Sequence, residues 1–143
     1  MSRQLTCTIV YLFMNIVIDT SAIIAVLINE SSKKSIIRTV TGCTLIAAQS
    51  IDAEIGNAIS AMFKRKRINL IQAEKVINNY NKIAIRKEKI RILDAIKLSL
   101  ELNIYAYDAY VLDTALKFKA PILTLDKELE RKAQELNIEI LEI

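Results

Sequence analysis

Short apolar runs alternate with longer amphipathic stretches along this chain. A continuous β-branched run fills residues 15–18, and further short apolar runs follow at 43–48, 122–125 and 138–143. Apolar runs of this length, without alternation, are typical of strands that are covered on both faces. The four runs therefore predict four buried strands.

Between these runs, apolar residues recur every three or four positions, which is the spacing of a helix that buries one face. The helices predicted from this spacing cover residues 22–29, 32–41, 50–66, 69–82, 92–102, 106–118 and 127–136. In the fourth helix the predicted inward face consists of Leu70, Ala73, Val76, Ile77 and Tyr80. In the fifth helix the spacing depends on Leu93, Ile96 and Leu100. Residues 83–90 show no clear period, so their structure stays open.

Strands that are separated by helices, without hairpin turns, must be joined by crossovers, and crossovers make neighbouring strands parallel. The predicted fold class is therefore α/β. Thr20 or Ser21 is expected to cap the first helix, and Ser50 and Asn69 the third and fourth. Gly42 is expected to take the left-handed conformation where the second helix ends.

The composition indicates one folded domain, because 52% of the 143 residues are apolar and no linker or repeat divides them. We expect the domain to span residues 14–143. Residues 1–13 would be an N-terminal extension or, since Met14 follows, the product of a misassigned start. The apolar stretch that begins at Cys7 is shorter than the ~20 residues of a membrane span. Cys7 and Cys43 lack CxxC spacing, and we interpret both as reduced residues of a cytoplasmic protein.

The residue types that the chain lacks exclude several kinds of site. It contains no His, which rules out Ser-His-Asp and Cys-His catalysis and His-based zinc sites. Its two glycines, Gly42 and Gly56, cannot form a Rossmann or Walker A phosphate-binding loop. Acid–base or metal chemistry would therefore depend mainly on carboxylates.

Four carboxylates occupy positions where a parallel sheet binds its ligands. Asp19 and Asp126 each follow a predicted strand, and Glu54 and Asp108 lie in the first turns of predicted helices. Because ligands of such sheets bind at the carboxyl ends of the strands, these four acids are candidates for one shared site. The alternative is structural, since an acid at the start of a helix caps it or complements its dipole.

A cluster of four carboxylates would favour a bound cation. Like charges ~4 Å apart repel by roughly 4 kcal/mol at an effective dielectric constant of 20. Oxygen ligands without His or Cys suit Mg²⁺ or Mn²⁺ better than zinc. Asp113 and Glu128 are weaker candidates, because Asp113 lies about 140° around its helix from Asp108 and Glu128 is typical of a solvated first turn.

Four segments resemble, in order, the motifs of one family, the PIN domains. They are MNIVIDTSA at 14–22, EIGNAI at 54–59, YDAYVL at 107–112 and LTLD at 123–126. At this length the chain resembles most of all the VapC-type toxin ribonucleases of toxin–antitoxin pairs. The resemblance implies a three-layer fold with a central, mostly parallel sheet of four to five strands and about seven flanking helices.

The same resemblance implies an Mg²⁺- or Mn²⁺-dependent endoribonuclease in which the metal activates water. Asp19 and Asp108 would be the firmest ligands, with Glu54 and Asp126 completing the site and Thr20 or Ser21 supporting it. The number of metal ions stays open. The resemblance also implies a homodimer and a small VapB-type antitoxin protein as partner.

Basic residues are concentrated in the middle of the chain, where residues 64–91 contain ten Lys or Arg and only two acids. The cluster Lys64, Arg65, Lys66 and Arg67 is a candidate for RNA contact, and a solvated helix end is the equally weighted alternative. Three tyrosines flank Asp108 and could stack on bases or pack internally. They are Tyr105, Tyr107 and Tyr110.

Three other functions compete with a toxin ribonuclease. One is a PIN nuclease of RNA processing or repair, and another is a PIN fold that binds RNA or protein without catalysis. The third is a phosphatase with Asp19 as nucleophile, which is disfavoured because such sites expect D-x-D and this chain has Ser21.

Overall fold

A parallel sheet of four strands lies at the centre of the computed structural model, which describes residues 14–143. In spatial order the strands are β3, β2, β1 and β4, and every neighbouring pair is parallel. Their bounds are Asn15–Ile18 for β1, Thr44–Ala48 for β2, Ile85–Glu88 for β3 and Ile122–Leu123 for β4. The expected N-terminal extension, with Cys7, lies outside the described residues.

Seven helices connect and follow these strands in the described part of the chain. They are α1 (Thr20–Leu27), α2 (Lys33–Val40), α3 (Ile51–Lys64), α4 (Leu70–Asn81), α5 (Ile92–Leu102), α6 (Ala106–Phe118) and α7 (Lys127–Glu135). The predicted α/β class, with a parallel sheet and seven helices, is therefore confirmed. Asn69 caps α4 as expected, and Gly42 has a left-handed φ of 82° just beyond α2. No helix among residues 14–143 is long and apolar enough to cross a bilayer.

Successive residues of β1 point to opposite faces of the sheet, as in any strand. Ile16 and Ile18 pack in one core cluster with buried residues of α1 to α4, and Val17 packs in a second with buried residues of α5, α6 and α7. All three side chains are almost fully buried. The sheet is thus the middle of three layers, and its continuous apolar strands reflect burial on both sides.

Two predicted strands are shorter than expected, and one strand forms where none was predicted. Residues 83–90, which had no clear period, contain the edge strand β3 with the charged sequence IRKE; charged side chains are common on edges because they oppose unwanted pairing. The predicted last strand, 138–143, is reduced to one parallel bridge from Ile140 to Ile122. The strand predicted at 122–125 ends at Leu123 because side-chain hydroxyls, described below, bind the amides of Leu125 and Asp126.

The inward face predicted for α5 is wrong. Leu93 and Leu100 are 68% and 86% exposed, and the buried positions are Ala95, Leu98 and Leu102. Both faces of this helix are apolar, so periodicity alone did not distinguish them. In α4 the predicted inward face is right at Ala73, Val76 and Tyr80, which are buried, and wrong at Leu70 and Ile77, which are exposed.

Candidate active site

Asp19 begins the site at the carboxyl end of β1. The expected capping of α1 by Thr20 or Ser21 is wrong, because Asp19 itself is the N-cap. Its Oδ1 accepts hydrogen bonds from the backbone amides of Ser21 at 2.6 Å and Ala22 at 3.3 Å. The residue is only 7% exposed, so β1 delivers a buried carboxylate to this edge of the sheet.

Two hydroxyls tie Asp19 to the strand beside it. The Ser21 hydroxyl donates to Asp19 Oδ1 at 2.6 Å, and the buried Thr124 hydroxyl donates to Oδ2 at 2.7 Å. The same hydroxyl oxygens accept the backbone amides of Leu125 at 2.9 Å and Asp126 at 3.0 Å. The carboxyl ends of β1 and β4 are thus held together by side chains where their ladder stops.

Thr124 is the residue of this network that the sequence interpretation did not select. The signal that could have found it is its position two residues before Asp126, which lets its hydroxyl oxygen accept the Asp126 amide just after the same strand. Burial raises the pKa of Asp19, while the hydrogen bonds from Ser21 and Thr124 oppose that rise. The hydroxyls therefore support the charged form of a carboxylate that burial disfavours.

Glu54 lies in the first turn of α3 and is partly buried. Its Oε2 accepts a 2.9 Å hydrogen bond from the Ser50 hydroxyl, which makes no capping bond to the backbone although Ser50 occupies the N-cap position. Burial raises the pKa of Glu54, and the charges of Asp19 and Asp108 raise it further. The nearby Thr20 hydroxyl lowers the pKa of Glu54, although its Oγ1 forms no hydrogen bond of normal geometry.

Asp108 lies in the first turn of α6 and is partly buried. Its carboxylate receives no hydrogen bond from residues 14–143. Burial raises its pKa, and so do the charges of Asp126, Asp19 and Glu128, in that order. A partly buried carboxylate without donors, surrounded by other carboxylates, is poorly stabilised as an anion by its own protein.

Asp126 is exposed and caps α7. Its Oδ1 accepts the backbone amides of Glu128 at 2.9 Å and Leu129 at 3.2 Å. Glu128 contributes charge to the site but forms an exposed ion pair with Arg131, at 2.6 Å. Asp126 therefore has the structural role of a helix cap, which the sequence analysis gave as the alternative to a role in the site.

Asp108 therefore lies within range of the charges of Asp19, Glu54 and Asp126, and Glu54 within range of Asp19. Within residues 14–143, however, no three His, Cys, Asp or Glu side chains lie close enough together to form a metal-binding group. The donors are nevertheless of the type that a hard divalent cation requires, since all are carboxylate or hydroxyl oxygens. Thr20 Oγ1 is also buried beside Glu54 without a hydrogen-bond partner. In donor chemistry the residues fit Mg²⁺ or Mn²⁺.

Asp113 does not join these carboxylates. It is 6% exposed and forms a two-pronged ion pair with Arg91, at 3.0 Å from Nε and 2.7 Å from Nη2. This agrees with its position on α6, about 140° around the helix axis from Asp108. Asp113 thus connects α6 to the start of α5.

The basic cluster Lys64–Arg67 lies at the end of α3 and in the turn that follows, and all four residues are exposed. Glu54 lies ten residues earlier in α3, which corresponds to about 15 Å along the helix axis. Lys66 has a left-handed φ of 54°, so the cluster turns away from the helix direction there. RNA contact by these residues remains a prediction.

Comparison with known proteins places this geometry in context. The family model for the PIN domain matches residues 16–135. PAE2754 from Pyrobaculum aerophilum superimposes with a TM-score of 0.66 at 17% identity, over 86% of both chains. VapBC2 from Rickettsia felis, solved bound to a DNA fragment from their promoter, superimposes with a TM-score of 0.63 at 14% identity, over 90% of this chain and 98% of that one. No curated protein matches the sequence significantly.

Proposed function

The chain belongs to the PIN domain family, whose members are generally nucleases, and we propose that it is a metal-dependent endoribonuclease. One observation supports the proposal most strongly. Asp19, Glu54, Asp108 and Asp126, which come from four separate segments, interact through their charges at the carboxyl edge of the sheet. Structural capping explains the contacts of Asp19 and Asp126, but it does not explain Asp108, which caps nothing.

In this proposal Asp19 and Asp108 are the main metal ligands, and Glu54 and Asp126 bind directly or through water. Bound Mg²⁺ or Mn²⁺ would supply an activated water and stabilise the departing oxygen. Ser21 and Thr124 keep Asp19 oriented and charged through their hydrogen bonds. Asp108, which lacks donors, gains most from a cation, because its charge is otherwise uncompensated.

RNA is the proposed substrate because a basic surface accompanies the acidic edge. The four acids would repel phosphates, and Lys64–Arg67 offers compensating charge at the end of the helix that carries Glu54. Clustered Lys and Arg are the usual electrostatic feature of a nucleic-acid surface.

We further propose that the protein is the toxin of a VapBC-type pair, inhibited by a small antitoxin and active as a homodimer. The fold similarity to VapBC2 is consistent with this role. Self-association is supported by the apolar face of α5, where Ile92, Leu93, Ile96 and Leu100 are all exposed. Apolar patches of this kind commonly mark protein interfaces.

Cleavage of RNA by the purified protein, with Mg²⁺ or with EDTA, tests the proposal. We expect cleavage only with the metal, and a loss of at least about a hundredfold in Asp19→Asn and Asp108→Asn, since each removes a ligand charge from the reacting centre. Asp94→Asn is the matched control, because Asp94 is an exposed acid in the first turn of another helix.

Undiminished cleavage by both variants would show that the site is assigned wrongly. Mn²⁺ binding that depends on these acids, without cleavage of any RNA, would favour a PIN fold that binds RNA or protein without catalysis. Growth arrest on expression of the wild type, but not of Asp108→Asn, would distinguish a toxin from an enzyme of RNA processing or repair.

A further inference from the structure

A groove of about 600 Å³ opens beside Glu54, between the N-terminal ends of α1, α3 and α6. We call it the Tyr107 pocket, and its lining residues are Thr20, Ala53, Glu54, Asn57, Ala58 and Tyr107. Four of them form one stripe along α3, since positions 53, 54, 57 and 58 lie on the same side of a helix. The pocket therefore continues the acidic edge along α3.

The chemistry of the pocket favours a neutral, planar group. Tyr107 supplies an aromatic ring, Asn57 an amide with both donors and an acceptor, and two alanines leave space between them. Among residues 14–143 no Lys or Arg lines this pocket, and Glu54 would repel a phosphate. A nucleobase satisfies these conditions, because it stacks on aromatic rings and presents donors and acceptors at its edge.

The Tyr107 ring is held in a defined place while remaining accessible. It is 53% exposed and meets the Tyr110 ring edge-on, with centroids 6.0 Å apart and an angle of 87° between the planes. An edge-to-face pair is favourable in itself and restricts the rotation of both rings. Tyr107 therefore resembles a fixed stacking platform more than a solvated side chain.

We propose that the Tyr107 pocket binds an unpaired base of the RNA next to the bond that is cut, with Tyr107 stacking on it and Asn57 reading its edge. This inference rests on the proposed ribonuclease function and names two residues that would bind one nucleotide of its substrate. Asn57 would contribute a preference for particular bases, because its amide matches some base edges better than others.

Steady-state cleavage of a short single-stranded RNA tests the proposal. Base stacking on an aromatic side chain contributes enough that Tyr107→Ala should raise KM at least about fivefold. Tyr107→Phe keeps the ring and should retain wild-type KM. Tyr105→Ala is the matched control, because Tyr105 lies two residues earlier, is 88% exposed and does not line the pocket.

An abasic scan provides a second readout that a general structural defect would not produce. Removing the base next to the cut should raise KM for the wild type but not for Tyr107→Ala, which has already lost that contact. In the same RNA, Asn57→Ala should weaken the preference for the base at that position while leaving metal dependence unchanged.

The outcomes separate this inference from the function on which it rests. If the wild type cuts RNA but Tyr107→Ala and Tyr105→Ala have the same KM and the same abasic response, the pocket does not bind a base. That result would leave a different occupant, such as a basic side chain of an inhibitory protein on Glu54. If the wild type cuts no RNA with Mg²⁺ or Mn²⁺, the proposed function itself is wrong.

Discussion

At the scale of single residues, Asp126 shows that helix capping and a chemical role are compatible. Its Oδ1 accepts two amides at the start of α7, while Oδ2 accepts no hydrogen bond from the described residues. A carboxylate can therefore satisfy a helix end with one oxygen and offer the other to a ligand. At Asp19, Oδ1 accepts three hydrogen bonds, whereas Oδ2 accepts one, from the Thr124 hydroxyl, and keeps a lone pair for a ligand.

Replacing Asp108 by Asn is expected to stabilise the metal-free protein at neutral pH. Burial and neighbouring carboxylates raise the pKa of Asp108 above its ordinary value of 3.8. A carboxyl group with a raised pKa binds its proton more tightly in the folded state, so its ionisation destabilises the fold above the unfolded pKa. Thermal unfolding in EDTA should therefore show a higher midpoint for Asp108→Asn than for the wild type.

The pH dependence of this difference is its control. The gain should shrink as the pH falls and vanish well below 3.8, where the wild-type carboxyl is protonated in both the folded and the unfolded state. Asp94→Asn should show no such gain, since Asp94 is an exposed acid near Arg91. Equal midpoints for the wild type and Asp108→Asn at neutral pH would contradict the electrostatic account of the site.

Sequence reasoning selected the acids and named Ser21, together with Thr20, as a supporting hydroxyl, but it missed Thr124. Asp19 and Asp126 follow strands, so their place at the sheet edge follows from topology. Whether Ser21 turns its hydroxyl toward Asp19 or caps the helix itself depends on side-chain rotation, which sequence spacing does not determine. Thr124 was not selected, because its partner Asp19 is 105 residues away in the sequence.

At the scale of elements, the residues that end the helices show how a chain with two glycines can form the seven helices of residues 14–143. Helices commonly end on a left-handed residue, a position that favours Gly and tolerates Asn. In the described part of the chain five residues other than Gly have positive φ, and all lie just beyond or at the end of a helix. They are Asn29, Lys66, Asn103, Lys119 and Asn137.

The ion pair between α5 and α6 should respond unequally to the loss of its two partners. Arg91→Met would leave Asp113 buried without its partner, at a cost of about 2 kcal/mol, less than for a fully buried pair because Arg91 is partly exposed. Asp113→Ala would leave Arg91 able to reach water, so it should be less destabilising. Urea unfolding of the two variants measures the difference.

The double variant Arg91→Met, Asp113→Ala should recover part of the stability lost in Arg91→Met, because no buried charge is left unpaired. Arg131→Met is a suitable comparison, since Arg131 pairs with Glu128 on an exposed surface, and its midpoint should match the wild type. If Arg91→Met were as stable as Arg131→Met, burial of Asp113 would not carry the cost assigned to it.

Most helices and strands were predictable because their segments have one clear period and recognisable ends. One such end is Asn69, which forms the capping box of α4 with Gln72. The errors fall where the pattern is ambiguous. Helix α5 is apolar on two faces, and β3 has the charged pattern of an edge, so local sequence did not decide their environment. The lost pairing after Leu123 is a long-range effect of the Ser21 and Thr124 hydroxyls.

At the scale of the whole molecule, a net charge of +4 conceals two surfaces of opposite sign. The acidic edge lies at the carboxyl ends of the strands, and the basic residues concentrate between 64 and 91. An anionic polymer would be attracted by the basic residues. It would reach the acidic edge only if a bound cation offset the repulsion there. The Tyr107 pocket could not be predicted from the sequence, because it is formed by three separate helices.

Mn²⁺ binding followed by titration calorimetry tests the central claim most directly, namely that the carboxylates of this edge form one metal site. The wild type and Glu101→Gln, which alters an exposed acid of α5, should bind Mn²⁺ with the same affinity. Asp108→Asn should bind it at least about tenfold more weakly, since even residues that only support a ligand have effects of that size. Equal affinity of Asp108→Asn and the wild type would contradict the claim.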